Sequence, residues 1–330
     1  MSVPIASPTP ADDLAANILK MIGDAQRRVC ALAKETPVEL LSGEIRVPAT
    51  ARVHLKLEHL QKTGSFKLRG ATNKVMSLSD AQADAGVVTS STGNHALGVA
   101  TAAKHRGIDA EVFVSTQVSI EKLHKIQECG ARIRVVGENT LNAELLAREA
   151  ASDSGRTYIS PYNDPYVVAG QGTIGPELCR QVPQMDAVYI AAGGGGLLSG
   201  IGTYLRAISP RTEIIGCWPE NSRILYESIR AGRILDYPET YTLSESTAGG
   251  MEAGSITFPL AQRAMHRGIL VTEAEILEAM RWAHRRKWEI EGAAAVALAA
   301  YFKEASVSHG KTVVILLCGG NSSPEVRKYL

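Results

Sequence analysis

The chain is poor in the residues that mark several common kinds of protein. Its five cysteines, at positions 30, 129, 179, 217 and 318, are odd in number and far apart. Such spacing makes neither a disulfide framework nor a zinc-ligand pair, and reads as reduced thiols in a cytoplasm. Neither charge sign is in excess: 35 lysines and arginines against 34 aspartates and glutamates leave +1. That balance supports no nucleic-acid and no membrane-surface partner. The basic run at 282–288 is a local exception, but it lies in a helical pattern starting near Glu273 and reads as a solvated or subunit-facing surface. Residues 187–205 are uncharged for 19 positions, yet six of them are glycine, which makes a turn of this stretch and not a membrane span. Residues 1–13 hold three prolines and no basic, apolar leader, so a flexible tail is expected there and not a signal peptide.

Glycine, by contrast, is plentiful, and it recurs where strands hand over to helices. The stretch Lys62-Thr63-Gly64-Ser65-Phe66-Lys67-Leu68-Arg69-Gly70 sets one lysine behind a serine and between glycines. With Ser65 as cap of a helix running through 71–78, Lys67 falls in the first turn, where the helix dipole disfavours an ammonium. A lysine amine held neutral there can condense with an aldehyde.

Three further turns belong with it. Ser90-Ser91-Thr92-Gly93-Asn94-His95 follows an apolar strand at 86–89 and precedes an alanine-rich helix at 96–106, so its N–H groups point at an anion above the helix start. Gly193-Gly194-Gly195-Gly196-Leu197 lies between a strand at 187–191 and a helix at 198–208, and its backbone can close on a phosphate with no Cβ in the way. A dinucleotide fingerprint fails here in both registers, because Leu198 or Ser199 stands where the last glycine belongs. A phosphate loop of the Walker type fails at Gly310-Lys311-Thr312, where Ala305 replaces the leading glycine. Finally, Cys318-Gly319-Gly320-Asn321 ends an apolar strand. Its thiol is either core packing or a group at the carboxyl edge of a sheet, where ligands of open α/β sheets collect.

In their order these segments resemble the pyridoxal-phosphate-dependent serine/threonine dehydratases, within the tryptophan synthase β-like superfamily of fold type II. The likeness runs from Thr36 to Asn321 and includes Leu55-Lys56-Leu57-Glu58-His59-Leu60-Gln61 and Ala169-Gly170-Gln171-Gly172-Thr173. It implies that Lys67 holds pyridoxal 5'-phosphate and later acts as base, that Phe66 lines the ring, and that Asn94 bonds its 3-hydroxyl. Gly193, Gly194, Gly195, Gly196 and Leu197 bind the phosphate, while Ser91, Thr92, Gly93 and His95 cradle the substrate carboxylate. Cys318 faces the pyridine nitrogen, a place more often held by serine. The implied reaction removes the α-proton and the β-hydroxyl of threonine, serine or a bulkier 3-hydroxy amino acid, giving a 2-oxo acid and ammonia. A racemase, with Thr92 returning the proton, or a dehydratase of a hydroxylated compatible solute such as hydroxyectoine are alternatives on the same fold. A β-replacing synthase is disfavoured, because its usual asparagine-bearing lysine motif is absent.

The expected architecture is α/β, with two parallel-sheet domains and the cofactor in the cleft between them. Strands are expected at 53–57, 86–89, 110–115, 132–136, 187–191, 213–218 and 312–317, alternating with helices. The resemblance implies a large cofactor-binding domain (14–85 and 163–330), a small mobile domain (86–162), and a homodimer. Asn163, in the return crossing, is read as a turn residue before a pocket residue. Two departures bear on the ligands. Trp218-Pro219 stands where relatives carry the Glu-Pro of a divalent metal site, and tryptophan cannot ligate such a metal, so no metal is expected. Ser246-Thr247-Ala248-Gly249-Gly250 lacks the aspartate of the usual Thr-x-Ala-Asp-Gly, which points to a substrate bulkier than serine. With only nine residues after Asn321, no effector domain is expected. Two rivals from other classes are a nicotinamide-dependent oxidoreductase, disfavoured by the failed glycine registers, and a non-catalytic, cofactor-binding regulatory protein.

Overall fold

The computed structural model describes residues 9–41, 47–116, 120–138 and 140–330. Its ten strands are β1 (Val38–Leu41), β2 (Arg52–Lys56), β3 (Val87–Ser90), β4 (Ala110–Val114), β5 (Arg132–Val135), β6 (Thr157–Tyr158), β7 (Ala187–Ala191), β8 (Glu213–Pro219), β9 (Arg267–Val271) and β10 (Thr312–Leu316). They form two sheets. One has the order β1-β2-β10-β7-β8-β9 and is parallel except at β1; the other has the order β5-β4-β3-β6 and is parallel throughout. Each of the seven expected strands is present within one or two residues. The chain leaves the large sheet after β2, builds the whole small sheet, and returns to the large one at β7.

Burial on both faces explains why β4 and β7 are almost entirely apolar. The alanine-rich helix Gly292–Lys303 packs against β7, β8, β9 and β10, and its first ten residues are all buried. Small side chains let it lie close to the sheet. The helix Pro10–Val29 begins at a Thr9–Asp12 capping box. That corrects the expected tail: residues 10–13 form the first turn of this helix, and residues 1–8 lie outside the described residues. The run near 282–288 closes the helix Glu273–His284 with a left-handed Lys287, φ 61°, and Trp282 is buried under the Arg286 guanidinium, 4.0 Å from its ring. No helix among the described residues is long and apolar enough to cross a membrane.

Candidate active site

The residues that follow β10 hold the lysine segment by its backbone. Ser65 pairs with Gly319 as an antiparallel bridge, and the Phe66 N–H donates to the Cys318 carbonyl at 3.0 Å. This corrects one expectation. Ser65 does not cap the helix Lys67–Met76; the cap position is Phe66, which makes no side-chain bond, and the buried Ser65 hydroxyl has no partner. Its backbone is committed to Gly319, which turns the side chain away from the helix start. Lys67 nevertheless opens the helix, as expected.

The Lys67 amine donates to the Pro161 carbonyl at 2.8 Å. Burial lowers its pKa to about 8, against the opposite pull of Cys318 and Glu291. Part of the lysine is therefore a free base near neutral pH. A buried ionic cluster fixes the same helix. Arg69 forks to Glu58 (2.7 Å) and Glu177 (2.6 Å), and Lys56 meets Glu177 at 2.6 Å. Burial alone raises the Glu58 carboxyl, but the Arg69 guanidinium reverses that and holds it below the usual range.

The second turn ends β3 and opens the helix Asn94–Arg106. Ser91 accepts from the Gly93 N–H at 3.2 Å, so the turn folds on itself. His95 donates from Nε2 to the Ile159 carbonyl at 3.1 Å, and burial with the nearby Lys67 lowers it to about 3, keeping the ring neutral. Its Nδ1 is buried with no partner. Asn94 turns its amide to Glu291 and accepts from Asn321 Nδ2 at 2.6 Å. Glu291 escaped the sequence reading. It is 3 % exposed, its carboxyl is raised by burial, and a Cβ on Gly319 would collide with its Oε1. The only signal for it was a glutamate ahead of the alanine-rich helix.

The tetraglycine turn opens the helix Gly196–Ile208. A Cβ on Gly193 would meet the Thr247 carbonyl at 2.7 Å, one on Gly194 the Tyr162 ring at 2.6 Å, and one on Gly195 Leu225 at 2.8 Å. Gly195 also has φ +85°, which favours glycine. Thr257 Oγ1 donates to the Gly194 carbonyl at 2.6 Å, holding the turn with its N–H groups at a helix start. Pro161 takes the Lys67 amine while the next residue, Tyr162, lies on Gly194 and Gly196, so lysine and turn are neighbours.

Cys318 is buried, and burial followed by the Glu291 charge pushes its thiol up, so it stays protonated. Thr92 and Gly93 line a small cleft with Asn321, Ser322 and Ser323. Ser246 lines a smaller one with Glu291, whereas Gly249 and Gly250 are exposed. Trp218 is buried against Tyr226, ring centroids 5.6 Å apart. Among the described residues no group of three or more histidines, cysteines or acidic residues could hold a metal ion. An amine partly neutral at pH 8, two turns that open helices, and an uncharged thiol fit pyridoxal phosphate.

The family model described as "Pyridoxal-phosphate dependent enzyme" matches residues 31–319. The chain belongs to this family. It is 36 % identical over 304 residues to the L-threonine ammonia-lyase of Thermotoga maritima, covering 92 % of this chain and 75 % of that protein. Processed threonine deaminase isoform 2 of Solanum lycopersicum superposes with a TM-score of 0.89 at 29 % identity, covering 100 % of this chain and 96 % of that one. Serine racemase of Dictyostelium discoideum gives 0.83 at 33 %, covering 92 % and 98 %. This pyridoxal-phosphate enzyme therefore has fold type II.

Proposed function

We propose that this enzyme is an ammonia-lyase that converts a β-hydroxy amino acid, threonine, serine or a bulkier 3-hydroxy amino acid, to a 2-oxo acid and ammonia. The observation that carries the reading is the Lys67 amine, brought to about 8 by burial and lodged beside a turn suited to a phosphate. Pyridoxal phosphate, when bound, supplies an aldehyde for amines to condense with and a ring that withdraws electrons from the α-carbon. Lys67 holds it and, once released, takes the α-proton as a neutral amine. The N–H groups of Gly193, Gly194, Gly195, Gly196 and Leu197 hold the phosphate. Ser91, Thr92, Gly93 and neutral His95 receive the substrate carboxylate. Phe66 would line the ring and Asn94 would bond its 3-hydroxyl. Cys318, whose thiol burial keeps uncharged, would offer the ring nitrogen a neutral partner and so would favour loss of the β-hydroxyl over slower side reactions.

In the same reading residues 14–85 and 163–330 form the cofactor-binding lobe, and 86–162 a small lobe that moves over the substrate. The five free cysteines support a reducing cytoplasm. The family resemblance supports a homodimer. Thr92, partly buried at the substrate turn, supports racemisation as a second reading.

Incubating the cofactor-loaded enzyme with a panel of β-hydroxy amino acids tests this. Release of 2-oxo acid and ammonia in equal amounts is expected. Formation of the opposite enantiomer without ammonia would favour the racemase, and no reaction with any member would leave the regulatory reading standing.

A further inference from the structure

Segment 159–164, which returns the chain from the small sheet to the large one, touches three parts of the site. Its Ile159 carbonyl accepts from His95 and from Thr89 Oγ1, its Pro161 carbonyl from Lys67, and its Tyr162 ring covers the tetraglycine turn. One carboxylate outside all the motifs holds this segment. Glu252 Oε2 accepts from Asn163 Nδ2 at 2.7 Å, and its Oε1 accepts from Ser160 Oγ at 3.4 Å. The Glu252 N–H donates to the Tyr162 hydroxyl at 3.0 Å, and the Ile256 N–H donates to Asn163 Oδ1 at 3.0 Å. The same carboxylate meets Arg148 at 2.8 Å, from the helix Thr140–Ser154 that packs on the small sheet. Arg148 is itself aimed by Glu144 at 2.8 Å and stacks on the Tyr158 ring, 4.3 Å from its centroid.

We propose that Glu252, held by Arg148, is a positioning residue that presses Tyr162 onto the tetraglycine turn and so ties the placing of the small sheet to the grip on the cofactor phosphate. The pair is partly sheltered, with side-chain exposures of 37 % for Arg148 and 21 % for Glu252, so its charge attraction survives solvent screening better than that of a fully exposed pair. Without it, Glu252 still bonds Asn163 and Ser160, but the helix Thr140–Ser154 no longer pulls on the segment that carries Tyr162. The inference rests on the reading that Gly193–Leu197 take the phosphate.

The test strips the enzyme of cofactor and measures rebinding of pyridoxal phosphate and of pyridoxal, which lacks the phosphate, by fluorescence titration. Glu252→Gln and Arg148→Met are each expected to raise the Kd of pyridoxal phosphate about fivefold, the equivalent of an ion pair worth about 1 kcal/mol. The Kd of pyridoxal should hardly move, and the double variant should be no worse than either single one. Variants with a lower Tm and an unchanged Kd would make the pair a structural tie and overturn the inference, as would failure of both to fold. If the native enzyme bound both forms equally well, the phosphate reading of the turn itself would fall. That result is distinct from a variant-only null.

Discussion

Asn94 Nδ2 donates to both carboxylate oxygens of Glu291, at 2.9 and 3.0 Å, and joins the first turn of the helix Asn94–Arg106 to the residue that opens the buried helix Gly292–Lys303. The pair sits beside Lys67, whose amine the Glu291 charge pulls upward against burial. Removing that charge leaves burial to act with less opposition. Glu291→Gln should therefore lower the Lys67 pKa below its value of about 8. The measurement is the rate of cofactor rebinding to stripped enzyme against pH, which rises as the amine loses its proton. A midpoint that stays put or moves up in the variant contradicts the placement of Glu291.

Lys67 itself gives the plainest prediction. Borohydride treatment of the native enzyme should fix the cofactor on Lys67, as read by peptide mapping. Lys67→Ala should fold, take no label, and lose activity by at least about a thousandfold. Label on a different lysine would move the chemistry elsewhere.

The ionic cluster behind the lysine helix makes a prediction about acid. Glu58 has a folded-state pKa below its ordinary 4.5, so its stabilising share is complete above that value and fades as the pH falls through the lower one. Arg69→Met strands the two buried carboxylates with Lys56 alone and should cost about 3–5 kcal/mol at neutral pH. Acid relieves the stranded charge by protonating it. The gap in Tm between variant and native protein should thus narrow as the pH approaches 4, and a gap that widens would show that the cluster is not the cause.

Lys287 ends the helix Glu273–His284 in the left-handed region, φ 61°, with the Trp288 N–H bonded to the Ala283 carbonyl and its own N–H to that of His284. Glycine takes this conformation without Cβ strain. Lys287→Gly should stabilise by about 1 kcal/mol, visible as a rise in Tm of about 2 °C.

Strands β4 and β7 were legible because both their faces are buried, which leaves short apolar runs such as 187–191 standing between turns. What escaped was set by pairing and not by pattern. β1 is a four-residue edge strand with mixed polarity, β6 has only two residues, and β9 begins Arg267-Gly268 ahead of its apolar part. Within the site, Lys67, Asn94 and the four glycines announced themselves through residue types that turns and anions demand. Glu291, Tyr162 and Glu252 did not. A glutamate before an alanine-rich helix, a tyrosine in a crossing, and a second glutamate in an irregular segment gain meaning only from neighbours far along the chain. Ser65 misled for the opposite reason: a serine two residues before a helical run looks like a cap, but here its backbone belongs to Gly319.

β10 is the last of the described strands, yet it occupies an interior place in the large sheet, between β2 and β7. During synthesis the earlier strands wait with open edges until residue 316 has left the ribosome, and the small sheet can form well before that. The gap filled by β10 is also the floor of the site, since Cys318, Gly319 and Asn321 follow it directly. Completion of the site is thereby tied to the insertion of β10 between β2 and β7.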